Sequence, residues 1–167
     1  LNPVDTLDTT AIEFGKNINN TPHHYHLIET PKEIESLLEK LQTSTIFCFD
    51  TETTSLDANN CTLVGMSFSL KAHEAFYVPV SSKIKEALQL VQRFQPIFEN
   101  KKTIKIGQNI KYDQLVLKWY GIELQGTLFD TMLAHYLMDA DARHNMDTLA
   151  ENYLGYTPVS ITELIGK

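Results

Sequence analysis

The sequence predicts an α/β fold, a mixed sheet with helices packed against it. Three observations predict it. An almost continuous β-prone apolar run occupies 45–49, two further such runs occupy 62–70 and 75–80, and helix-spaced apolar residues take over from Lys111 onward. With 167 residues, 43% hydrophobic and 21% charged, the chain has the length and composition of one globular domain with a real core.

Each element has a local reason. Residues 1–22 are polar, rich in Asn and Thr and without periodicity, and read as a linker or arm leading from an upstream domain. A short strand is expected around 24–28. Thr30-Pro31-Lys32-Glu33 then makes a capping box with Pro in the first helical position, opening a helix whose apolar face is Ile34, Leu37, Leu38 and Leu41. The run at 45–49, including Cys48, predicts a strand buried on both faces. The runs at 62–70 and 75–80, split by the polar residues 71–74, predict antiparallel neighbours for it. A helix capped by Ser81 or Ser82 should reach Phe98, with Ile84, Leu88, Val91 and Ile97 on one side. Another short strand spans 103–106 and stops at Gly107. Helices follow from Lys111 with Gly121 in the C′ position, from 130 to 138, and from 147 to 154 with Gly155 closing the last.

Composition excludes several classes. No stretch approaches the ~20 apolar residues that span a bilayer, so no membrane partner is expected. There is no basic and apolar leader, and Cys48 and Cys61 lack metal-ligand spacing, so a reducing, cytoplasmic setting is expected. The chain starts Leu1-Asn2-Pro3 without Met, which suggests a piece of a longer product. A formal net charge of −7 argues against a free-standing duplex-DNA binder, which normally carries a basic stripe. An acidic domain can still act on nucleic acid if its carboxylates hold divalent cations.

Two constellations carry chemistry. In Asp50-Thr51-Glu52-Thr53-Thr54-Ser55-Leu56-Asp57, residues two apart on a strand face the same way, so Asp50 and Glu52 project together. Two carboxylates held that close repel unless a cation lies between them, and hard ions such as Mg²⁺ or Mn²⁺ prefer oxygen-only ligands. The plainer alternative is a strand ending in a solvated turn. In Gly107-Gln108-Asn109-Ile110-Lys111-Tyr112-Asp113, at a strand-to-helix junction, Asn109 and Asp113 would share a helix face. Asp113 could then look toward the strand end that carries the other acids. The alternative makes Asn109 an N-cap and Asp113 a first-turn acid beside the helix dipole.

Taken together, these runs resemble the first two motifs of the DEDD exonuclease superfamily. Tyr120-Gly121-Ile122-Glu123-Leu124, Phe129-Asp130-Thr131-Met132 and the Arg143-to-Ala150 segment sharpen the likeness to the proofreading 3′→5′ exonuclease domain of bacterial DNA polymerase I. The resemblance runs from about Ile46 to Lys167. It implies a ribonuclease-H-like mixed sheet with helices on both faces, in a domain covering 23–167. It also implies a polymerase domain in the same parent polypeptide and the single-stranded 3′ end of DNA as substrate. The reaction implied is two-metal hydrolysis that releases 5′-mononucleotides, with Mg²⁺ or Mn²⁺ as the ions. By the same resemblance Asp50 bridges two ions about 4 Å apart, Glu52 serves the ion that activates the nucleophile, and Asp113 serves the other. Leu56 and Tyr112 would line the path of the terminal nucleotides, Gln108 and Asn109 would contact phosphate or sugar, and Arg143 would contact phosphate.

The sequence also departs from that family. Its third motif, Tyr-x-x-x-Asp, is absent: Tyr136, Tyr153 and Tyr156 are followed at the fourth place by Ala140, Thr157 and Ser160. The chain is therefore expected to end before that motif and to be inactive or weak in isolation. Ile161 falls near a place where some relatives carry an aromatic residue. Asp57, Asp130 and Asp147 read more simply as turn residues or caps, His135 as a packed side chain and His144 as a solvated one. The cluster at His23, His24 and His26 is at best an adventitious metal binder, and Lys101-Lys102 is a solvated turn. Two other functions compete: a vestigial exonuclease-like module that braces a polymerase or holds single-stranded DNA, and a stand-alone ribonuclease of the same superfamily.

Overall fold

The computed structural model describes residues 12–160 and 162–163. The chain divides into two compact units, one running from His23 to Ala142 and the other combining the two end segments. The first unit carries β1 (His24–Leu27), α1 (Pro31–Thr43), β2 (Ile46–Thr53), β3 (Leu63–Lys71), β4 (Glu74–Pro79), α2 (Ile84–Gln92), α3 (Gln95–Phe98), β5 (Ile104–Gly107), α4 (Ile110–Trp119), β6 (Leu128–Asp130) and α5 (Thr131–Met138). Its strands form a mixed sheet in the order β1-β4-β3-β2-β5-β6. β3 runs antiparallel to both β2 and β4 along the middle of the sheet, whereas β1 joins β4, β5 joins β2, and β6 joins β5 in parallel.

The expected antiparallel trio and the Thr30 capping box both form, the latter with Glu33 reaching back to the Thr30 amide at 2.8 Å. Three local expectations are corrected. β2 is not buried on both faces: Phe47, Phe49 and Thr51 point into the core while Ile46 and Cys48 are exposed. Its apolar run is continuous in sequence, but the period of two still sorts it, so Cys48 is not a buried hydrophobe. The helix expected from Ser81 to Phe98 is broken between Gln92 and Gln95. Pro96 lacks the amide that would continue the ladder, and its ring would collide with the carbonyl of Gln92. Ser81 also sits outside the helix, where its hydroxyl accepts the Lys83 amide at 3.2 Å and donates to Glu86. The short strand β6 had no signal of its own.

The core lies on the inner face of the sheet. Phe47, Phe49, Phe68, Phe94 and Phe98 pack there as tilted, edge-on and stacked pairs with ring centroids 5.1–6.4 Å apart. Burying such rings stabilises by ~1.5–3 kcal/mol apiece and ties β2 and β3 to α3. Lys105 is fully buried near the start of β5, its ammonium donating to the carbonyls of Asn100 (2.6 Å), Thr103 (3.3 Å) and Gln125 (2.8 Å). Burial depresses its pKa.

In the second unit α6 (Met146–Leu154) starts at an Asn145 cap and ends at Gly155 in the left-handed region. Lys16 lies beside it, its amide donating to the Gly155 carbonyl (3.0 Å) and its carbonyl accepting the Thr157 amide (2.8 Å). A Cβ on Gly155 would come within 2.1 Å of the Glu13 carbonyl oxygen, so this contact needs glycine for space as well as for its φ of +64°.

Candidate active site

Asp50 and Glu52 occupy alternate positions on the second half of β2, on the face opposite Phe47, Phe49 and Thr51. β5 pairs with β2 only from Ile46 to Cys48. Beyond that point the edge of β2 has lost its parallel neighbour, and Asp113 takes its place. The Asp113 Oδ1 accepts the Thr51 amide at 2.9 Å and the Thr51 hydroxyl at 2.6 Å. A first-turn acid of α4 therefore completes the hydrogen bonding of the strand between the other two acids. Asp113 itself is 1% exposed.

The electrostatics follow from that placement. Burial first, then the charges of Asp113 and Glu52, push the Asp50 carboxyl up to about 7. Burial likewise raises Asp113 to about 6, although both bonds from Thr51 favour its charged form. A half-buried carboxyl facing two more acids is in the condition that a hard divalent cation relieves, and the donor set is oxygen alone. The donor chemistry thus fits Mg²⁺ or Mn²⁺, with Asp50, Glu52 and Asp113 as the groups available. Among the described residues no three His, Cys, Asp or Glu side chains already stand as a metal-binding cluster.

Helix α4 also holds the turn that follows β2. Tyr112 bonds the Thr53 hydroxyl and donates to the Ser55 carbonyl, Trp119 Nε1 donates to the Ala58 carbonyl (3.1 Å), and the Tyr120 hydroxyl accepts the Leu63 amide (3.2 Å). At the tip of this braced turn Leu56 is 98% exposed, so its side chain has no packing role. Tyr112 is half-buried and hydrogen-bonded, a brace as well as a neighbour of the acids.

Asn109 does occupy the N-cap position of α4, but its backbone is left-handed (φ 57°) and its side chain makes no capping bond, so it does not share a helix face with Asp113. Asp130 does the capping. Its carboxylate accepts the amides of Asn109 (3.1 Å) and Ile110 (3.0 Å) at the start of α4, and those of Met132 (2.9 Å) and Leu133 (3.2 Å) at the start of α5. Thr131 reinforces the joint by donating to the Gly107 carbonyl and pairing with the Gln108 side chain. Sequence reading identified Asp130 as a cap but missed that it fastens two helices, and it missed Thr51 altogether. The α4 contact spans 20 residues and the Thr51 contact 62, and neither leaves a local signal.

Gln108 lies half-buried in this joint, His135 is buried as expected, and His144 is half-buried rather than solvated. Arg143 is exposed and belongs to the second unit. Ile161 lies outside the described residues.

The strand order, with β5 and β6 added in parallel beside an antiparallel trio and acids at the strand ends, defines a ribonuclease-H-like exonuclease fold. Solved structures of that class superpose on it. The catalytic core of RRP6 from Trypanosoma brucei gives a TM-score of 0.68 at 17% identity, covering 86% of this chain and 38% of that one. Brucella melitensis NrnC with bound Mg²⁺ gives 0.63 at 19% identity, covering 84% and 65%. The chain belongs to the 3′–5′ exonuclease family, whose model matches residues 25–167. It is 37% identical to DNA polymerase I of Pseudomonas aeruginosa, over 99% of this chain and 20% of that protein. Its identity to DNA polymerase I of Borreliella burgdorferi is 35%, over 100% and 17%. The chain thus spans about a fifth of the length of these relatives. Among the described residues no helix is long and apolar enough to cross a membrane.

Proposed function

We propose that this chain is the proofreading module of a DNA polymerase I-type polypeptide, hydrolysing the terminal phosphodiester of a frayed single-stranded 3′ end of DNA to 5′-mononucleotides. One observation carries the reading: Asp50 and Glu52 project side by side from the end of β2, and Asp113 is fastened to the residue between them. Asp50, Glu52 and Asp113 would hold divalent ions, Mg²⁺ or Mn²⁺, which when bound supply an acidified water and a counter-charge for the leaving 3′ oxygen.

The chain's own residues do the remaining work. Leu56, projecting from its braced turn, offers apolar contact to a terminal base, and such contact tolerates any sequence. Tyr112 fixes that turn and lines the same path. Gln108 and Asn109 supply polar side chains at the α4 junction, and Arg143 supplies a cation for phosphate. The domain extends over residues 23–167, a polymerase domain in the same polypeptide is its partner, and the setting is the bacterial cytoplasm.

The family's Tyr-x-x-x-Asp pair is absent from the sequence, so the isolated chain lacks a fourth carboxylate and a group to orient water. Incubating it with single-stranded DNA and Mg²⁺ or Mn²⁺ should therefore release mononucleotides slowly if at all, and Asp50→Ala should abolish whatever release remains. Mononucleotide release at the full rate of an intact proofreading enzyme would overturn the expected weakness of the isolated chain, and residual release indifferent to Asp50→Ala would overturn the assignment of the site.

A further inference from the structure

Gly65 is an interior residue of β3, and its cross-strand partner on β2 is Glu52. It is buried, and the reason is Tyr77 of β4. A Cβ built on Gly65 would lie 2.1 Å from the Tyr77 hydroxyl oxygen and 2.4 Å from the carbon bearing it. The phenol therefore crosses Gly65 diagonally, and its hydroxyl stands where a side chain at position 65 would begin. Side chains directly opposed across antiparallel strands begin about 4.5–5.5 Å apart, well within the reach of a glutamate. The space that a side chain at position 65 would fill, beside Glu52 across the strands, is taken by a hydroxyl from the next strand. A phenol hydroxyl carries its proton at neutral pH and can donate.

We propose that Tyr77 is a positioning residue for Glu52, its hydroxyl donating to the Glu52 carboxylate through one water and so restricting how that carboxylate meets a divalent cation. Glu52 is exposed and on its own would sample several rotamers. A donor on one side leaves the remaining carboxylate lone pairs aimed outward, the role that hydrogen-bond partners of metal ligands play generally. Gly65 is part of the device, because any larger residue would push the hydroxyl away.

This inference rests on the reading of Asp50 and Glu52 as cation ligands, and the test separates the two. Mn²⁺ affinity of the full chain is measured by the loss of the free-ion electron paramagnetic resonance signal, for the wild type and for Asp50→Ala, Tyr77→Phe, Gly65→Ala and Glu52→Gln, with melting curves as fold controls. Tyr77→Phe and Gly65→Ala should each weaken Mn²⁺ binding roughly tenfold. Tyr77→Phe added to Glu52→Gln should weaken it no further, whereas a merely structural role for the phenol would show in both backgrounds. Asp50-dependent binding that Tyr77→Phe leaves unchanged, or weakens equally with and without Glu52, overturns the role of Tyr77 alone. Binding that is undetectable in the wild type, or indifferent to Asp50→Ala, overturns the cation-site reading and this inference with it.

Discussion

Replacing Asp50 with Asn should stabilise the metal-free chain, even though it removes a residue of the proposed active site. A carboxyl that ordinarily titrates near ~3.9 titrates here at about 7. At ~1.4 kcal/mol per unit of pKa, holding it ionised in the fold costs about 4 kcal/mol. Asp50 keeps partial contact with water and Asn still buries an amide, so the net gain expected from Asp50→Asn is about 1–3 kcal/mol. The sign depends on pH. Because its pKa is raised, the folded chain retains a proton that the unfolded chain has lost, so wild-type stability in EDTA falls as pH rises from ~4 toward 7. The advantage of the Asn variant should be absent near pH 4 and complete by pH 8. Urea denaturation in EDTA across that range measures it, and saturating Mn²⁺ at pH 8 should narrow the gap by stabilising only the wild type. An Asn variant less stable than the wild type at pH 8 in EDTA, or one whose advantage grows toward acid, would refute the reasoning.

Three further outcomes follow from single contacts. Asp130→Ala strips four amides at the starts of α4 and α5 of their acceptor, so a loss of about 2–3 kcal/mol and a lower thermal midpoint are expected by calorimetry; an unchanged midpoint would show that the double cap is not formed. Lys105→Met leaves the carbonyls of Asn100, Thr103 and Gln125 without their shared donor and should cost about 2–4 kcal/mol in urea unfolding, whereas a neutral result would mean water enters the site. Leu56→Ala, at a side chain 98% exposed, should leave stability within ~0.5 kcal/mol of wild type while weakening binding of a fluorescent single-stranded DNA in Mn²⁺; unaltered binding would remove Leu56 from the substrate path.

Much of this molecule was legible in the order of its residues. The Thr30 box, the Gly155 stop and the adjacency of Asp50 and Glu52 are all decided by bonds or side-chain directions within a few positions, and the sequence states them directly. The likeness to proofreading exonucleases was carried by runs as short, chief among them 49–53 and 107–113. Where local signals competed, reading failed: an apolar run hid the exposure of Cys48, and a helical pattern ran through Pro96.

The tertiary structure alone decided the contacts between distant segments. It placed Asp113 on Thr51 because β5 ends early and leaves an unpaired amide on β2, a vacancy that no pattern in either segment announces. It made Asp130 the fastener of two helices, and it brought the Tyr77 hydroxyl over Gly65 toward Glu52. Hydrogen-bond vacancies and space are properties of packed surfaces rather than of neighbouring residues. The acids could therefore be named from the sequence, while what holds them in place emerged only once the sheet was assembled.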